Sequence, residues 1–178
     1  MPERLPIVAV LGSGEHEHAE KAEPLGAWLA GEGVHLLTGA GRGVMLAASR
    51  GFTAVTGRAG LAIGIVPSSD HPAVPAAGYP NAYVELPIFT HLPLRGSYGA
   101  EPMSRNHINV LTANVLIALP GSAGTASEVH LALAYRRPII AFLNDRSDIP
   151  GLPGEVMVVT TLDEVKAFVR RELASQRA

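Results

Sequence analysis

The sequence predicts a single α/β domain in which helices cover both faces of a mainly parallel β-sheet. Three observations lead to this prediction. Short, continuously apolar runs such as Ile7–Leu11 and Val115–Leu119 recur along the chain, as is typical of strands buried on both faces. Segments with helical periodicity alternate with these runs. Several of the runs end directly in a glycine-rich turn, which is where a strand passes into a helix in such domains.

The N-terminal part of the chain is predicted to contain three strands and two helices. Apolar positions at helical spacing predict a first helix over 17–32, with Pro24 near its first turn and with Gly31 and Gly33 ending it. A second helix, rich in small residues, follows the second glycine-rich turn and reaches about Val55. The strands are predicted at Ile7–Leu11, Val34–Leu37 and Leu61–Val66.

The middle of the chain gives the weakest pattern. Ser68–Pro80 is rich in Pro, Ala and Ser and has no periodicity, which predicts a long surface loop, and such loops are often functional. A strand is predicted at Tyr83–Leu86, with Ile88–His91 as a further candidate, and Pro93–Ala100 is predicted to be a connecting loop.

The C-terminal part returns to regular alternation. The predicted elements are a helix over Pro102–Ala113, the strand Val115–Leu119, a helix reaching Arg136, strands at Pro138–Leu143 and Val156–Val159, and an amphipathic helix over Leu162–Ala174. Because right-handed crossovers place helices on both faces of a parallel sheet, the whole chain, 1–178, is predicted to be one Rossmann-like, three-layer domain. Ligands of such domains bind outside the carboxyl ends of the strands, where the strand order reverses.

Composition narrows the classes of function. Lys and Arg number 14 against 16 Asp and Glu, which gives a formal charge of −2 and no basic field for a nucleic-acid backbone. Cysteine is absent, which excludes disulfides, thiolate metal sites and a cysteine nucleophile. No run approaches the roughly 20 apolar residues that cross a bilayer. We therefore expect a cytoplasmic protein without a nucleic-acid or membrane partner.

Three predicted strand-to-helix turns are rich in glycine. They are suited to phosphate because glycine lets the backbone approach the ligand, while exposed amides at a helix start supply donors and positive potential. An ordinary tight turn without a ligand is the alternative, above all at Gly12 and Gly14. None of the turns matches G-x-G-x-x-G or G-x-x-x-x-G-K-[ST], so a nicotinamide or nucleoside-triphosphate enzyme is not predicted. The predicted phosphate contacts are Gly12, Ser13, Gly39, Gly41, Gly43, Gly121, Ser122, Ala123, Gly124 and Thr125.

The third turn carries two further polar residues, Thr125 and Glu128, in the first turns of the helix that follows. Both side chains can face a ligand there, and the carboxylate would then bind ribose hydroxyls or a water. The alternative is a capping box, because T-x-x-E is the sequence signature of that motif. The spacing alone is compatible with both.

The string Pro120–Glu128, PGSAGTASE, resembles the PGGxGTxxE motif of the LONELY GUY proteins, whose older label is "possible lysine decarboxylase", and of the related molybdenum-cofactor carrier proteins. Other segments are similar in the same order: Leu37–Met45 to the second-strand glycine loop, Gly64–Pro67 to the end of the third strand, and Met103–Asn106 to a helix motif with a functional arginine. The resemblance extends from Ile7 to Leu143 and is specific for the superfamily rather than for one activity.

The resemblance implies a phosphoribohydrolase that cleaves the N-glycosidic bond of cytokinin nucleoside 5′-monophosphates to base and ribose 5-phosphate. In this interpretation Arg105 and Glu128 are the catalytic pair, the glycine turns hold the 5′-phosphate, and no cofactor is required. The chemistry is consistent, because a carboxylate stabilises the oxocarbenium charge that develops on the ribose. A surface ion pair between Arg105 and Glu101, at i,i+4, is the alternative role of the arginine.

Three departures from the motifs favour a different branch of the superfamily. Ser122 replaces a glycine, Ala40 interrupts the second glycine loop, and Asn106 stands where the enzymes carry lysine. The short version is more similar to the cofactor carriers, which share the fold and bind molybdopterin through its phosphate. A noncatalytic carrier of the molybdenum cofactor is therefore the alternative function. A homodimer or homotetramer is expected, because the helices around the second and third turns are rich in Ala, Leu and Val.

Two other kinds of chemistry are not predicted. His16 and His18 lie at i and i+2 without a third ligand nearby, so no metal site is expected. Lysine decarboxylation would need an active-site lysine for pyridoxal phosphate, and Lys21 and Lys166 lie outside the glycine turns.

Overall fold

A computed structural model describes residues 4–176 and contains one seven-stranded sheet with every neighbouring pair of strands parallel. The strands are β1 (Ile7–Leu11), β2 (His35–Thr38), β3 (Ala62–Val66), β4 (Leu86–Phe89), β5 (Val115–Ala118), β6 (Ile139–Phe142) and β7 (Met157–Val159). The helices are α1 (Ala19–Gly31), α2 (Val44–Thr53), α3 (Asn106–Thr112), α4 (Ala123–Ala134) and α5 (Leu162–Ser175), with short 3-10 helices at Gly96–Tyr98 and Arg146–Asp148.

The strand order is β4-β3-β2-β1-β5-β6-β7, so the chain first winds outward on one side of β1 and then returns to its other side. Strand β1 pairs with β2 through Ile7 opposite His35, and with β5 through Val8 opposite Val115. The order of strands therefore reverses between β1 and β5. Ligands of open parallel sheets bind outside the carboxyl ends of the strands at such a point.

Two buried apolar clusters fill the two faces of the sheet. Helices α1, α2 and α5 contribute Leu25, Phe52 and Phe168 to the first cluster, and α3 and α4 contribute Val110 and Val129 to the second. These layers confirm the predicted three-layer α/β fold. Within the described range, 4–176, no helix is both long and apolar enough to cross a membrane.

Helices α1 and α2 pack with their backbones in close approach because glycine stands at both points of contact. A Cβ added to Gly26 would lie 2.1 Å from the carbonyl oxygen of Ala48, and one added to Gly51 would lie 2.2 Å from that of Glu23. The contact fixes α2, whose first turn follows the second glycine loop. Helix α1 begins at Ala19, later than predicted, and Pro24 therefore lies in its second turn.

The structure differs from the prediction mainly in the middle of the chain. Strand β4 overlaps the end of the first predicted segment and the start of the second. It is an edge strand, and its largely exposed residues explain the weak apolar pattern. Helix α3 begins at Asn106 rather than at Pro102, because the backbone before it is held in turns and Leu94 forms a bridge with Ser104.

Candidate functional site

A cleft of about 630 Å³ opens at the reversal point, outside the carboxyl ends of β1 and β5. Its walls come from the turn after each of these strands, from the start of α4, and from the segment that precedes α3. The predicted site residues among its lining are Gly12, Ser13, Gly39, Arg105, Gly121, Ser122, Gly124, Thr125 and Glu128. Three predicted contacts, Gly41, Gly43 and Ala123, are not among the lining residues.

The start of α4 presents backbone amides to this cleft. The first amide of the helix with a backbone acceptor is that of Ala126, which donates to Ser122 at 3.0 Å, and the amide of Gly121 donates to the carbonyl of Asp148 at 3.0 Å. Between them, the amides of Ala123, Gly124 and Thr125 have no acceptor in the part of the chain that the structure describes, and Ser122 makes no side-chain cap. Free amides at a helix N-terminus bind anions through donors and the helix dipole.

The second glycine turn serves a different purpose. The first amide of α2, that of Val44, donates to the carbonyl of Ser13 at 2.9 Å, so the first turn of the chain occupies this helix start. Gly43 has φ +59, and a Cβ there would lie 2.2 Å from the same carbonyl oxygen. A Cβ at Gly12 would likewise lie 2.7 Å from Val44. Glycine is required at both positions by packing between the turns.

Ala40 interrupts the glycines of this turn. Its φ is +62, in the left-handed region that disfavours residues with a Cβ, and its carbonyl accepts from the amide of Asn81 at 2.8 Å. The turn therefore keeps a glycine-type conformation without a glycine at this position.

Arg105 is the only arginine that is nine-tenths buried in the described range, with 5 % exposure, and it lines the cleft. Its guanidinium lies against the backbone of Gly39 and 5.8 Å from the ring centroid of Tyr79. Nε and Nη1 have no hydrogen-bond partner within residues 4–176, and no ion pair with Glu101 is found there. The alternative of a surface pair with Glu101 is wrong. Buried donors normally have acceptors, so this guanidinium is suited to an acceptor on a ligand.

Glu128 lies one turn into α4, is also buried, and faces the same cleft. Asn109 of α3 donates from Nδ2 to its Oε1 at 2.9 Å. Burial raises the pKa of the Glu128 carboxyl, while the charge of Arg105 and the hydrogen bond from Asn109 oppose that rise. Glu128 is not part of a capping box, because α4 begins after Ser122 and has no side-chain cap. A buried carboxyl with a perturbed pKa in a cleft is typical of a functional site.

Comparison with known proteins places the chain in a family. The model of the SLOG cluster4 family matches residues 5–168. The chain belongs to the SLOG cluster4 family. No curated protein matches it significantly.

Several solved structures have folds similar to that of this SLOG cluster4 protein. The molybdenum cofactor binding protein of Rippkaea orientalis is 32 % identical, with a TM-score of 0.76 over 96 % of this chain and 98 % of that one. The molybdenum cofactor carrier protein of Chlamydomonas reinhardtii is 29 % identical, with a TM-score of 0.72 over 96 % and 99 %. DNA processing protein A of Helicobacter pylori, at 18 % identity and a TM-score of 0.64 over 94 % and 81 %, shares the fold. The resemblance predicted from the glycine motifs is confirmed.

Sequence reasoning did not predict four residues that lie at or beside the cleft. Tyr79 and Arg95 lie in the nonperiodic middle segment, and no local pattern indicates that they reach the cleft. Asn106 lines the cleft and donates to the Ser127 hydroxyl at 3.2 Å. Asn109 follows Arg105 by four positions, and i,i+4 spacing on a helix would have indicated that both face α4.

Histidines also reach the cleft. His16 and His18 line it on the side of the first turn, with their ring centroids 6.2 Å apart. Over residues 4–176, no group of three or more His, Cys, Asp or Glu side chains is placed to hold a metal ion.

Proposed function

We propose that this protein binds a phosphate-bearing pterin cofactor of the molybdenum cofactor type in the cleft between β1 and β5, as a carrier and not as a hydrolase. The observation that carries the proposal is a pair of unsatisfied polar features in one cleft. The amides at the start of α4 and the buried guanidinium of Arg105 both lack protein acceptors in the described structure. The 32 % identity to a molybdenum cofactor binding protein over 96 % of the chain supports the choice of ligand.

The phosphate of the ligand fits the start of α4. The amides of Gly124 and Thr125, two residues that line the cleft, are available as donors, and the positive end of the helix dipole favours a dianion there. Thr125 also lines the cleft, and its hydroxyl adds a donor at this position. A volume of about 630 Å³ is in the ordinary range for a small organic ligand.

The remaining polar groups fit a heterocycle with both donors and acceptors on its edge. Arg105 offers the unpaired Nε and Nη1, and Asn106 lines the cleft beside it. Glu128 adds a carboxyl beside them. A pterin carries ring N–H groups next to a carbonyl, so it can satisfy donors and acceptors of this kind together. Polar atoms that stay buried without partners are costly, so a complementary ligand gains affinity.

The test is whether the protein acquires and protects the cofactor. The chain is produced in cells that synthesise molybdenum cofactor, purified without oxygen and oxidised, and the bound pterin is measured by fluorescence. We expect pterin in stoichiometric proportion to protein, and longer survival of added cofactor in its presence. The Arg105→Ala variant should lose most of the bound pterin. The Arg171→Ala variant should keep it, because Arg171 is an exposed residue on α5. Purified protein without pterin that also gives added cofactor no protection would refute the proposal.

A second candidate is hydrolysis of nucleoside 5′-monophosphates, because Arg105 and Glu128 line one cleft with the phosphate turn. Incubation with AMP and with cytokinin monophosphates, followed by chromatography for free base, separates the two functions. A carrier releases no base. Release that Glu128→Gln abolishes would establish the hydrolase instead.

A further inference from the structure

A second cluster of positive charge lies at the cleft and is not used by the phosphate position at α4. The guanidinium carbons of Arg95 and Arg105 each lie 5.8 Å from the ring centroid of Tyr79, so one aromatic ring contacts two cations. All three residues line the cleft. Arg105 is buried with Nε and Nη1 unpaired, whereas Arg95 is exposed and its described hydrogen bond is a long one, 3.4 Å, to the carbonyl of Pro93.

Arg95 is held next to the start of α4 by contacts between glycines. Gly96, with φ +61, follows it directly, and a Cβ added to Gly124 would lie 3.2 Å from the Cα of Gly96. Three residues further on, a Cβ added to Gly99 would lie 2.1 Å from the Ser127 hydroxyl. The segment that carries Arg95 therefore packs directly on the first turns of α4.

The acidic residues that line the cleft form no salt bridge with either arginine in the part of the chain that the structure describes. Three acids line it: Glu15, Glu128 and Asp148. Asp148 accepts from the amides of Asn144 and Asp145 at 3.0 and 3.1 Å, so its carboxylate is engaged in its own loop. No salt bridge joins Arg95 or Arg105 to an acid among residues 4–176, although the charge of Arg105 acts on the nearby Glu128 carboxyl. Two guanidiniums without a salt-bridge partner favour an anion.

We propose that Arg95, Tyr79 and Arg105 form a second anion subsite, so that the cleft takes ligands with two neighbouring anionic groups. One group lies on the α4 amides and the other between the two guanidiniums, with the ring of Tyr79 keeping both cations in place. The inference rests on the proposed function, because it takes the α4 turn as the first anion position. It specifies the ligand as one that carries a diphosphate, or a phosphate with a second oxyanion close by.

The test uses inorganic phosphate and pyrophosphate as probes, with affinities measured by calorimetry at constant ionic strength. We expect the unchanged protein to bind pyrophosphate at least about tenfold more tightly than phosphate, the ratio expected for one added charge-assisted contact. Arg95→Ala should remove most of that preference and change the affinity for phosphate by less than about twofold. Tyr79→Ala should also reduce the preference, whereas Tyr79→Phe, which keeps the ring, should retain it.

Arg42→Ala is the matched control. Arg42 is exposed, lies 3.6 Å from the position of a Cβ at Gly78, next to Tyr79, and does not line the cleft. The Arg42→Ala substitution removes one positive charge from the same region as Arg95→Ala. Because Arg42 does not line the cleft, the substitution should leave the pyrophosphate preference unchanged. Equal affinities for both probes would overturn the second subsite, and so would an equal loss of the pyrophosphate preference in Arg42→Ala and Arg95→Ala. As long as phosphate still binds, either result leaves the proposed function intact. Failure to bind either probe would instead overturn the anion position at α4.

Discussion

Replacing Gly39 by alanine should displace Arg105 without altering any charged residue. A Cβ at Gly39 would lie 2.2 Å from Nη1 and 2.5 Å from Nη2 of Arg105. Ordinary contacts between heavy atoms lie at about 3.5–4.0 Å, so the guanidinium must move by more than about 1 Å. The obstructed atoms are the end of a flexible side chain rather than backbone. We therefore expect Gly39→Ala to fold with nearly unchanged stability but with Arg105 out of place.

The size of the effect follows from the contacts that Arg105 offers. A hydrogen bond to a charged group contributes about 1.5–3 kcal/mol. Loss of one such bond to the ligand lowers affinity by about 10- to 100-fold, since about 1.4 kcal/mol corresponds to a factor of ten. Arg105→Ala should lower it by at least as much, because it removes every contact of the guanidinium.

Pterin retention by the purified variants provides the assay, together with thermal melting as a check of folding. Gly14→Ala is the matched control. Gly14 also lines the cleft, but the nearest atom to an added Cβ there is Cε of Met45 at 3.8 Å, an ordinary contact. We expect Gly14→Ala to retain pterin as the unchanged protein does. If the Gly39→Ala variant is folded and retains pterin as well as the unchanged protein does, pterin binding does not depend on the position of Arg105. That result would refute the proposed role of its guanidinium.

Three further predictions concern the carboxyl at the site and the helix crossing. Because the pKa of Glu128 is raised in the folded state, the free energy of unfolding should fall as pH rises from about 4.5 to the folded pKa, by about 1.4 kcal/mol per pH unit. Glu128→Gln should not show this decline. Urea unfolding at a series of pH values measures the effect. Asn109→Leu should raise the Glu128 pKa further, since it removes the hydrogen bond to Oε1, and an unchanged carboxyl titration by NMR would contradict this. Gly26→Ala should destabilise the protein by about 2 kcal/mol, because overpacking against the α2 backbone outweighs the gain in helix propensity. Gly31→Ala in the same helix, where an added Cβ meets nothing within 4 Å, should be neutral or stabilising.

Most of the fold could be predicted because its strands are buried on both faces. Strands such as β1 and β5 are continuous apolar runs that lead into a glycine-rich turn, and this pattern does not depend on distant residues. The edge strand β4 was placed less well, since its residues are largely exposed and it lacks the apolar run of a central strand. The start of α3 was misplaced because long-range contacts, including the bridge between Leu94 and Ser104, hold the preceding residues in turns.

The residues of the candidate site could be predicted only in part, for a similar reason. The motif after β5 and the arginine before α3 line one cleft. Only the resemblance to known motifs implied that these two segments act together, and their role stays a prediction. The sequence cannot show that the carbonyl of Ser13 occupies the start of α2, since that contact depends on how two separate turns pack. Tyr79 and Arg95 reach the cleft through a nonperiodic segment, for which only three-dimensional contacts fix the position.

The central claim is that the start of α4 binds the phosphate of the ligand while Arg105 contacts the rest of it. A crystal structure with bound cofactor, or with phosphate alone, tests this directly. We expect a phosphate within hydrogen-bond distance of the amides of Gly124 and Thr125. With the cofactor we also expect Nε or Nη1 of Arg105 to donate to an acceptor on it. A ligand bound outside this cleft, or a phosphate that leaves these amides without an acceptor, would contradict the claim.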